Sequence, residues 1–218
     1  MIESQYFEYG ETEINWLKSR DSALGSAIDE IGHINRPVIP ELFEALIHSV
    51  VGQQISAKAL ATVWSRIQRL VEPLTPGEIA AASAEELQKC GITMRKALYM
   101  KEIADSVLNG SLDIAALREM PDGEVCKRLS QIKGIGVWTA EMLMTFSMQR
   151  PDVISFDDIA IHRGLRMLYH HRKITPALFA KYKRRYSPYS TVASLYIWAI
   201  AGGECSALTD PARKKKRL

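Results

Sequence analysis

Long apolar runs are missing from this chain. No stretch approaches the roughly 18 uninterrupted apolar residues that a bilayer-crossing helix needs, so a membrane protein is not expected. The N-terminal segment MIESQYFEYGETE is acidic and shows no basic region followed by an apolar one. No secretory signal is therefore visible, and the default address is intracellular. Cysteine is scarce: Cys90, Cys126 and Cys205 are odd in number and far apart. That spacing excludes a disulfide framework and any CxxC-type zinc or iron–sulfur set within this chain, and each thiol reads most simply as a reduced packing residue. Only 13 Gly and 9 Pro occur in 218 residues that are 47% apolar and 24% charged, a composition that argues against fibres and disorder. The length suits one large domain or two small ones with a sizeable core.

Negative charge is missing too, but only from one end. Between Ile159 and Gly203 there is no acidic residue, while Arg163, Arg166, Arg172, Lys173, Lys181, Lys183, Arg184 and Arg185 gather beside His162, His170 and His171. Residues 1–158 hold 15 Lys+Arg against 23 Asp+Glu, a net −8, and residues 159–218 hold 13 against 2, a net +11. A one-sided positive field of this kind suits a polyanion such as nucleic acid. The blander alternative is a solvated helix face followed by a disordered basic tail, Arg213 to Arg217.

Sustained apolar/polar alternation is absent, so a sheet is improbable and the fold class is all-α. Leu42, Phe43, Leu46, Ile47 and Val50 have helical spacing, as do Leu60, Val63, Trp64, Ile67 and Leu70 after Ser56, a candidate N-cap. Gly52, Gln53 and Gln54 lie between these two helices. Thr75-Pro76-Gly77-Glu78 and Ser83-Ala84-Glu85-Glu86 have capping-box spacing, the second followed by a stop at Gly91. Further helices are expected over 94–108, 124–130, 137–148, 176–185 and 189–201, and only 153–156 reads as extended.

The segment Leu129-Ser130-Gln131-Ile132-Lys133-Gly134-Ile135-Gly136-Val137-Trp138-Thr139-Ala140 joins two helices through a glycine-bearing turn. Glycines there permit positive φ and close backbone approach, so successive N–H groups at the second helix's start form a phosphate cradle. Taken alone it is equally an ordinary helix–helix turn. Ile132, Ile135 and Val137 distinguish it, because they anchor both helices while the turn stays exposed.

With that hairpin on the page, the chain resembles the helix-hairpin-helix DNA glycosylase superfamily, and within it the alkylation-repair branch of the 3-methyladenine DNA glycosylase II type. The hairpin is followed by a helix and then by Gln149-Arg150-Pro151-Asp152-Val153-Ile154-Ser155-Phe156-Asp157-Asp158, and the family's catalytic carboxylate maps onto Asp158. Upstream, Val51-Gly52-Gln53-Gln54-Ile55-Ser56 resembles the loop that inserts a side chain into the duplex, and residues 189–198 resemble the aromatic-bearing helix that walls the base pocket. The resemblance spans roughly residues 41–202.

The resemblance implies a base-flipping N-glycosylase. Asp158 would stabilise positive charge developing on the sugar and orient or deprotonate the attacking water; its simpler role is a helix cap, which Asp157 is expected to take instead. Gln54 is the expected duplex wedge, although a Gln at a helix end can also be purely structural. Trp138, Met142 and Trp198 would line a pocket for an electron-poor base by stacking and cation–π attraction, or pack in the core, as Trp16 and Trp64 are expected to do. Lys133, Gly134, Ile135, Gly136 and Thr139 would meet phosphate.

Where strand-cutting relatives carry a Schiff-base lysine after the hairpin glycines, this chain has Trp138. A monofunctional, water-using hydrolase is the consequence, leaving an abasic site. Met142 and Ser155-Phe156 also depart from the family pattern and blur the substrate range. An alkylated purine already carries positive charge and leaves without a general acid, so 3-methyladenine and 7-methylguanine are the expected substrates in duplex DNA. Deaminated, oxidised or mispaired bases are the alternative within the class, and a non-catalytic helix-hairpin-helix DNA-binding module is the alternative outside it.

No metal is assigned and no cofactor is expected: Cys205 stands alone where some relatives bind an iron–sulfur cluster, though a monovalent cation at the hairpin carbonyls remains open. The short form without an N-terminal β-domain is expected, with two helical lobes and a DNA-binding cleft between them: residues 38–148 as a barrel of about six helices bearing the hairpin, and residues 1–37 with 149–218 as the second lobe bearing the catalytic Asp and basic tail. The expected partner is double-stranded DNA, with no membrane and a monomeric chain. The cell's DNA sets the location, the nucleoid in a bacterium or the nucleus in a eukaryote.

Overall fold

The computed structural model describes residues 5–212; the basic tail from Arg213 to Arg217 lies outside them. In order along the described chain run α1 (Glu11–Arg20), α2 (Ser22–Ile31), α3 (Leu42–Gly52), α4 (Ala57–Leu70), α5 (Pro76–Ala81), α6 (Ala84–Lys89), α7 (Met94–Leu108), α8 (Ile114–Glu119), α9 (Asp122–Ser130), α10 (Val137–Phe146), α11 (Ile159–Tyr169), α12 (Pro176–Tyr186) and α13 (Ser190–Gly202). The β-type pairing among the described residues is one isolated bridge between Tyr6 and Pro37, and residues 153–156, expected to be extended, form no strand. No described helix is long and apolar enough to cross a membrane. Two compact units result: Ile39–Met148, and the two flanking chain segments together.

The Ile39–Met148 unit holds α3 to α10, eight helices where about six were expected. The short helices α5 and α6 start where their capping-box spacing places them, and α8, which no reading of the sequence anticipated, is likewise six residues long and started by a polar N-cap. Thr75 accepts from the Glu78 N–H, Asp113 from the Ala116 N–H, and Ser83 forms a reciprocal box with Glu86. Ser56 caps α4 as its sequence implies, accepting from the Ala59 N–H. Leu42, Leu46, Ile47, Val50 and Val51 of α3, Ile67 of α4 and Ala97, Met100, Ile103 and Ala104 of α7 are fully buried together with Leu87, Val125 and Leu129. Trp64 is a correction: it is half-buried, its ring edge-on to His48 at 4.8 Å, so Val63 and Ile67 rather than Trp64 anchor α4.

In the other unit α11 packs on α13 at close range, because Gly164 leaves no side chain between them. A Cβ at Gly164 would stand 2.2 Å from the Ile197 carbonyl oxygen. α13 has Leu195, Tyr196, Ile197 and Ile200 all buried, as expected for a helix apolar on every side. The two chain ends are joined by a polar cluster that no sequence pattern announced. Buried Asp21 caps α2 through the Leu24 N–H at 2.9 Å, and its other oxygen accepts from the Tyr169 hydroxyl at 2.7 Å and from Arg185. Tyr169 in turn shares a 2.7 Å hydrogen bond with the wholly buried Tyr186 and stacks on Tyr182, ring centroids 4.2 Å apart. Trp16 is half-buried on α1, edge-on to Tyr189 with the Arg20 guanidinium over its ring, so it too lies at the rim of a core and not within one.

Candidate functional site

α9 and α10 meet through residues 131–136. Gly134 takes φ +86°, a left-handed conformation that a non-glycine residue adopts only with strain. The turn also has no room for a side chain there, since a Cβ would lie 2.6 Å from Cδ2 of Tyr99. Ile135 is buried, pinning the turn, while no side chain caps α10 and its first turn is open to solvent, Val137 and Trp138 each 47% exposed. An open helix N-terminus carries N–H groups and the positive end of the dipole, the combination that binds an anion. Gly136 is exposed and Thr139 half-buried in the same turn. Lys133, assigned to phosphate, is exposed and donates to Glu102 Oε1 at 2.7 Å, an ion pair that raises its pKa. Exposed pairs of this sort are worth little and exchange readily for a phosphate. Among the hairpin carbonyls considered for a monovalent cation, that of Ile132 accepts from the Ile135 N–H and that of Gly134 from Gln53.

The loop after α3 brings Gln54 to the surface with φ +57°, left-handed in a residue that is not glycine. Holding it there costs on the order of 1–2 kcal/mol, and the neighbouring bonds offset that cost. Gln53 Nε2 donates to the Gly134 carbonyl at 2.6 Å, and Lys96 Nζ donates to the carbonyls of Val51 at 2.9 Å and Gln53 at 2.6 Å. The loop bearing Gln54 and the hairpin are thus fastened within one unit. Trp138 and half-buried Met142 stand one turn apart on α10 of that unit.

Asp158 and Trp198 belong to the other unit. Asp158 is the N-cap of α11: its Oδ1 accepts from the N–H groups of Ala160 at 2.7 Å and Ile161 at 2.9 Å, and the residue is buried, 7% exposed. The cap expected of Asp157 therefore falls to Asp158, and Asp157 is exposed. The reason is register: the acid immediately before the first helical residue reaches the orphan N–H groups of the first turn. One carboxylate oxygen caps, and backbone bonds fix the orientation of the whole group. Trp198 is half-buried on α13. His162 follows Asp158 by one helical turn, ring edge-on to Phe156 at 4.9 Å, and its Nε2, like the Oγ of buried Ser155, is enclosed without a hydrogen-bond partner among the described residues.

Sequence reasoning passed over Gln53, Lys96, Tyr99 and Glu102. No sequence pattern singles out Lys96 or Glu102, and only the fold brings the Lys96 ammonium to the carbonyls of Val51 and Gln53 and the Glu102 carboxylate to the Lys133 ammonium. No group of three His, Cys, Asp or Glu side chains among the described residues is arranged to hold a metal.

A glycine-turned helix pair, followed in the chain by a helix capped with a buried carboxylate, defines a helix-hairpin-helix protein of the DNA-handling class. Residues 47–188 match the HhH-GPD superfamily of base excision DNA repair proteins, and the chain belongs to that family. It is similar to DNA-3-methyladenine glycosylase 1 of Schizosaccharomyces pombe, 34% identical over 181 residues that make up 81% of this chain and 78% of the relative. Among solved structures it is similar to a DNA-3-methyladenine glycosidase from Bacillus halodurans, at 35% identity with a TM-score of 0.82, covering 91% of this chain and 93% of that one. A Schizosaccharomyces pombe 3-methyladenine DNA glycosylase in complex with abasic DNA matches at 30% identity and a TM-score of 0.74, over 86% and 95% of the two chains.

Proposed function

We propose that this chain is a monofunctional DNA glycosylase that hydrolyses the N-glycosidic bond of alkylated purines, 3-methyladenine and 7-methylguanine, in duplex DNA and leaves an abasic site. The observation that carries the reading is Asp158: a buried carboxylate whose orientation two backbone N–H groups fix. Bond cleavage leaves positive charge on the deoxyribose, and a pre-oriented carboxylate stabilises that charge without reorganising during the reaction. It also positions a water for attack at C1′. A base alkylated at a ring nitrogen is cationic before it leaves, so departure needs no proton donor.

The remaining assignments follow the same chemistry. Extruding the base costs a few kcal/mol and leaves a gap in the stack; exposed Gln54 is the group to fill it, its amide able to pair with the orphaned base. Trp138, Met142 and Trp198 offer the aromatic and polarisable surfaces that a cationic purine favours. With Trp138 at the position where strand-cutting relatives have an amine, no Schiff base forms and the sugar–phosphate backbone stays intact. The hairpin turn from Lys133 to Thr139 binds phosphate. The same reading puts the protein with the chromosome, in the nucleoid or nucleus, acting as a monomer on double-stranded DNA.

The test is product analysis on a panel of duplexes, each holding one defined modified base, with the wild-type chain and Asp158→Asn. Release of free 3-methyladenine and 7-methylguanine, alkali-labile but uncut strands, and loss of both in the variant are expected. Release unaffected by Asp158→Asn overturns the catalytic assignment; binding without release by the wild-type chain makes it a DNA-binding module.

A further inference from the structure

Three residues of α7, spaced three apart, reach the two DNA-facing loops of the Ile39–Met148 unit. Lys96 Nζ donates to the carbonyls of Val51, in the last turn of α3, and of Gln53, which follows it. Tyr99 lies under the hairpin, its ring where a Cβ on Gly134 would have to go. Glu102 holds Lys133 at 2.7 Å. Gln53 closes the circuit by donating from its side chain to Gly134 while its own carbonyl receives Lys96. The next residue is Gln54, in its left-handed conformation.

We propose that Lys96 and Gln53 are positioning residues that hold the Gln54 wedge in fixed register with the phosphate-binding hairpin, α7 serving as the strut, so that gripping the backbone and filling the emptied stack occur as one event. This rests on the functional reading above. A lysine on a solvated helix face would keep its ammonium in water; here burial lowers the pKa of Lys96, and its ammonium is committed to two carbonyls. Those carbonyls sit at and just past the C-terminal end of α3, where the helix dipole favours a cation. Bridging the helix end to Gln53 fixes the chain direction at which Gln54 leaves. The Gln53 amide then transfers that position to Gly134, whose neighbours meet phosphate. A wedge on an unfastened loop would have to be ordered at each flipping event, and the rate of base removal would carry that cost.

The experiment compares wild type, Lys96→Met, Lys96→Arg and Gln53→Leu in single-turnover release of 7-methylguanine from two duplexes, one with cytosine opposite the lesion and one with an abasic site opposite. Thermal stability and affinity for undamaged duplex are measured in parallel. Weakening the opposing pair reduces the work the wedge must do. Lys96→Met and Gln53→Leu are expected to release base about tenfold more slowly from the paired duplex, and within about twofold of wild type from the duplex with the abasic site. Affinity for undamaged duplex should stay within about twofold, since the phosphate contacts remain. Lys96→Arg, which keeps the charge and the donors, should restore most of the rate. Equal slowing on both duplexes, or none on either, overturns the inference while leaving the glycosylase reading intact. No release by the wild-type chain from either duplex overturns that reading and the inference with it. Should Lys96→Met fail to fold, Gln53→Leu on the loop and Lys96→Arg decide the matter by the same contrast.

Discussion

Asparagine at position 158 separates the helix cap that this side chain forms from the catalytic role proposed for it. Asn caps a helix about as well as Asp, so the hydrogen bonds from Ala160 and Ile161 to the side-chain oxygen survive the change. The negative charge does not. Asp158→Asn is therefore expected to unfold within about 1 kcal/mol of wild type while single-turnover base release falls at least about 100-fold. Asp158→Ala loses the cap as well and should cost about 0.5–2 kcal/mol of stability, read from thermal melts. Asp157→Asn, exposed and outside the cap, should change neither quantity. At this scale the sequence pointed to the pair of acids but gave the cap to Asp157 instead of Asp158, because a one-residue difference in helix start decides which acid meets the first-turn N–H groups.

Elements transmit such local choices. α11 carries Asp158 at its start and lies against α13 only because Gly164 has no Cβ. Gly164→Ala would press a methyl into the Ile197 carbonyl, and the helix must shift or tilt to admit it. Overpacking of this kind costs about 1–3 kcal/mol and more where backbone resists; the variant should melt lower and release base more slowly, since its N-cap moves with the helix. α3 and α4, which flank the loop bearing Gln54, meet through His48 and Trp64. Burial lowers the His48 pKa from its usual 6.5, so the unfolded chain binds a proton that the folded one refuses. Stability from this source is fully present above about pH 6.5 and is lost as pH falls from there through the lower folded value. Glu44, one turn earlier on α3, is pushed upward by burial and by Glu41, and its opposite effect belongs to the carboxylate range below. Melting temperatures measured from pH 7.5 down to 5 should decline for wild type below about pH 6.5 and stay flatter for His48→Gln.

For the whole molecule, charge is the governing quantity. A net +11 over residues 159–218 against −8 over the rest gives a chain whose overall +3 understates its attraction for a polyanion. Affinity for undamaged duplex should fall linearly on a log–log plot against salt, each neutralised phosphate contributing about −0.9 to the slope. Ending the chain after Ala212 removes Arg213, Lys214, Lys215, Lys216 and Arg217. The slope should then flatten by up to about 4.5, with base release at saturating enzyme unchanged. A slope unchanged by the truncation would mean that the tail makes no phosphate contact.

The all-α class, most helix starts, the hairpin and the carboxylate at the head of α11 were legible in the chain itself, because capping and amphipathic spacing are local and a glycine between two apolar anchors can do few other things. The helices α1, α2 and α8, the half-buried setting of Trp16 and Trp64, the Asp21–Tyr169–Arg185 cluster and the Lys96–Gln53–Gly134 circuit were not. Each joins residues distant along the chain, or is settled by how well a neighbour packs, and a polar side chain's partner depends on what the fold carries to it. Local sequence wrote the helices and their chemistry; tertiary packing alone decided which lysine serves a backbone and which faces water.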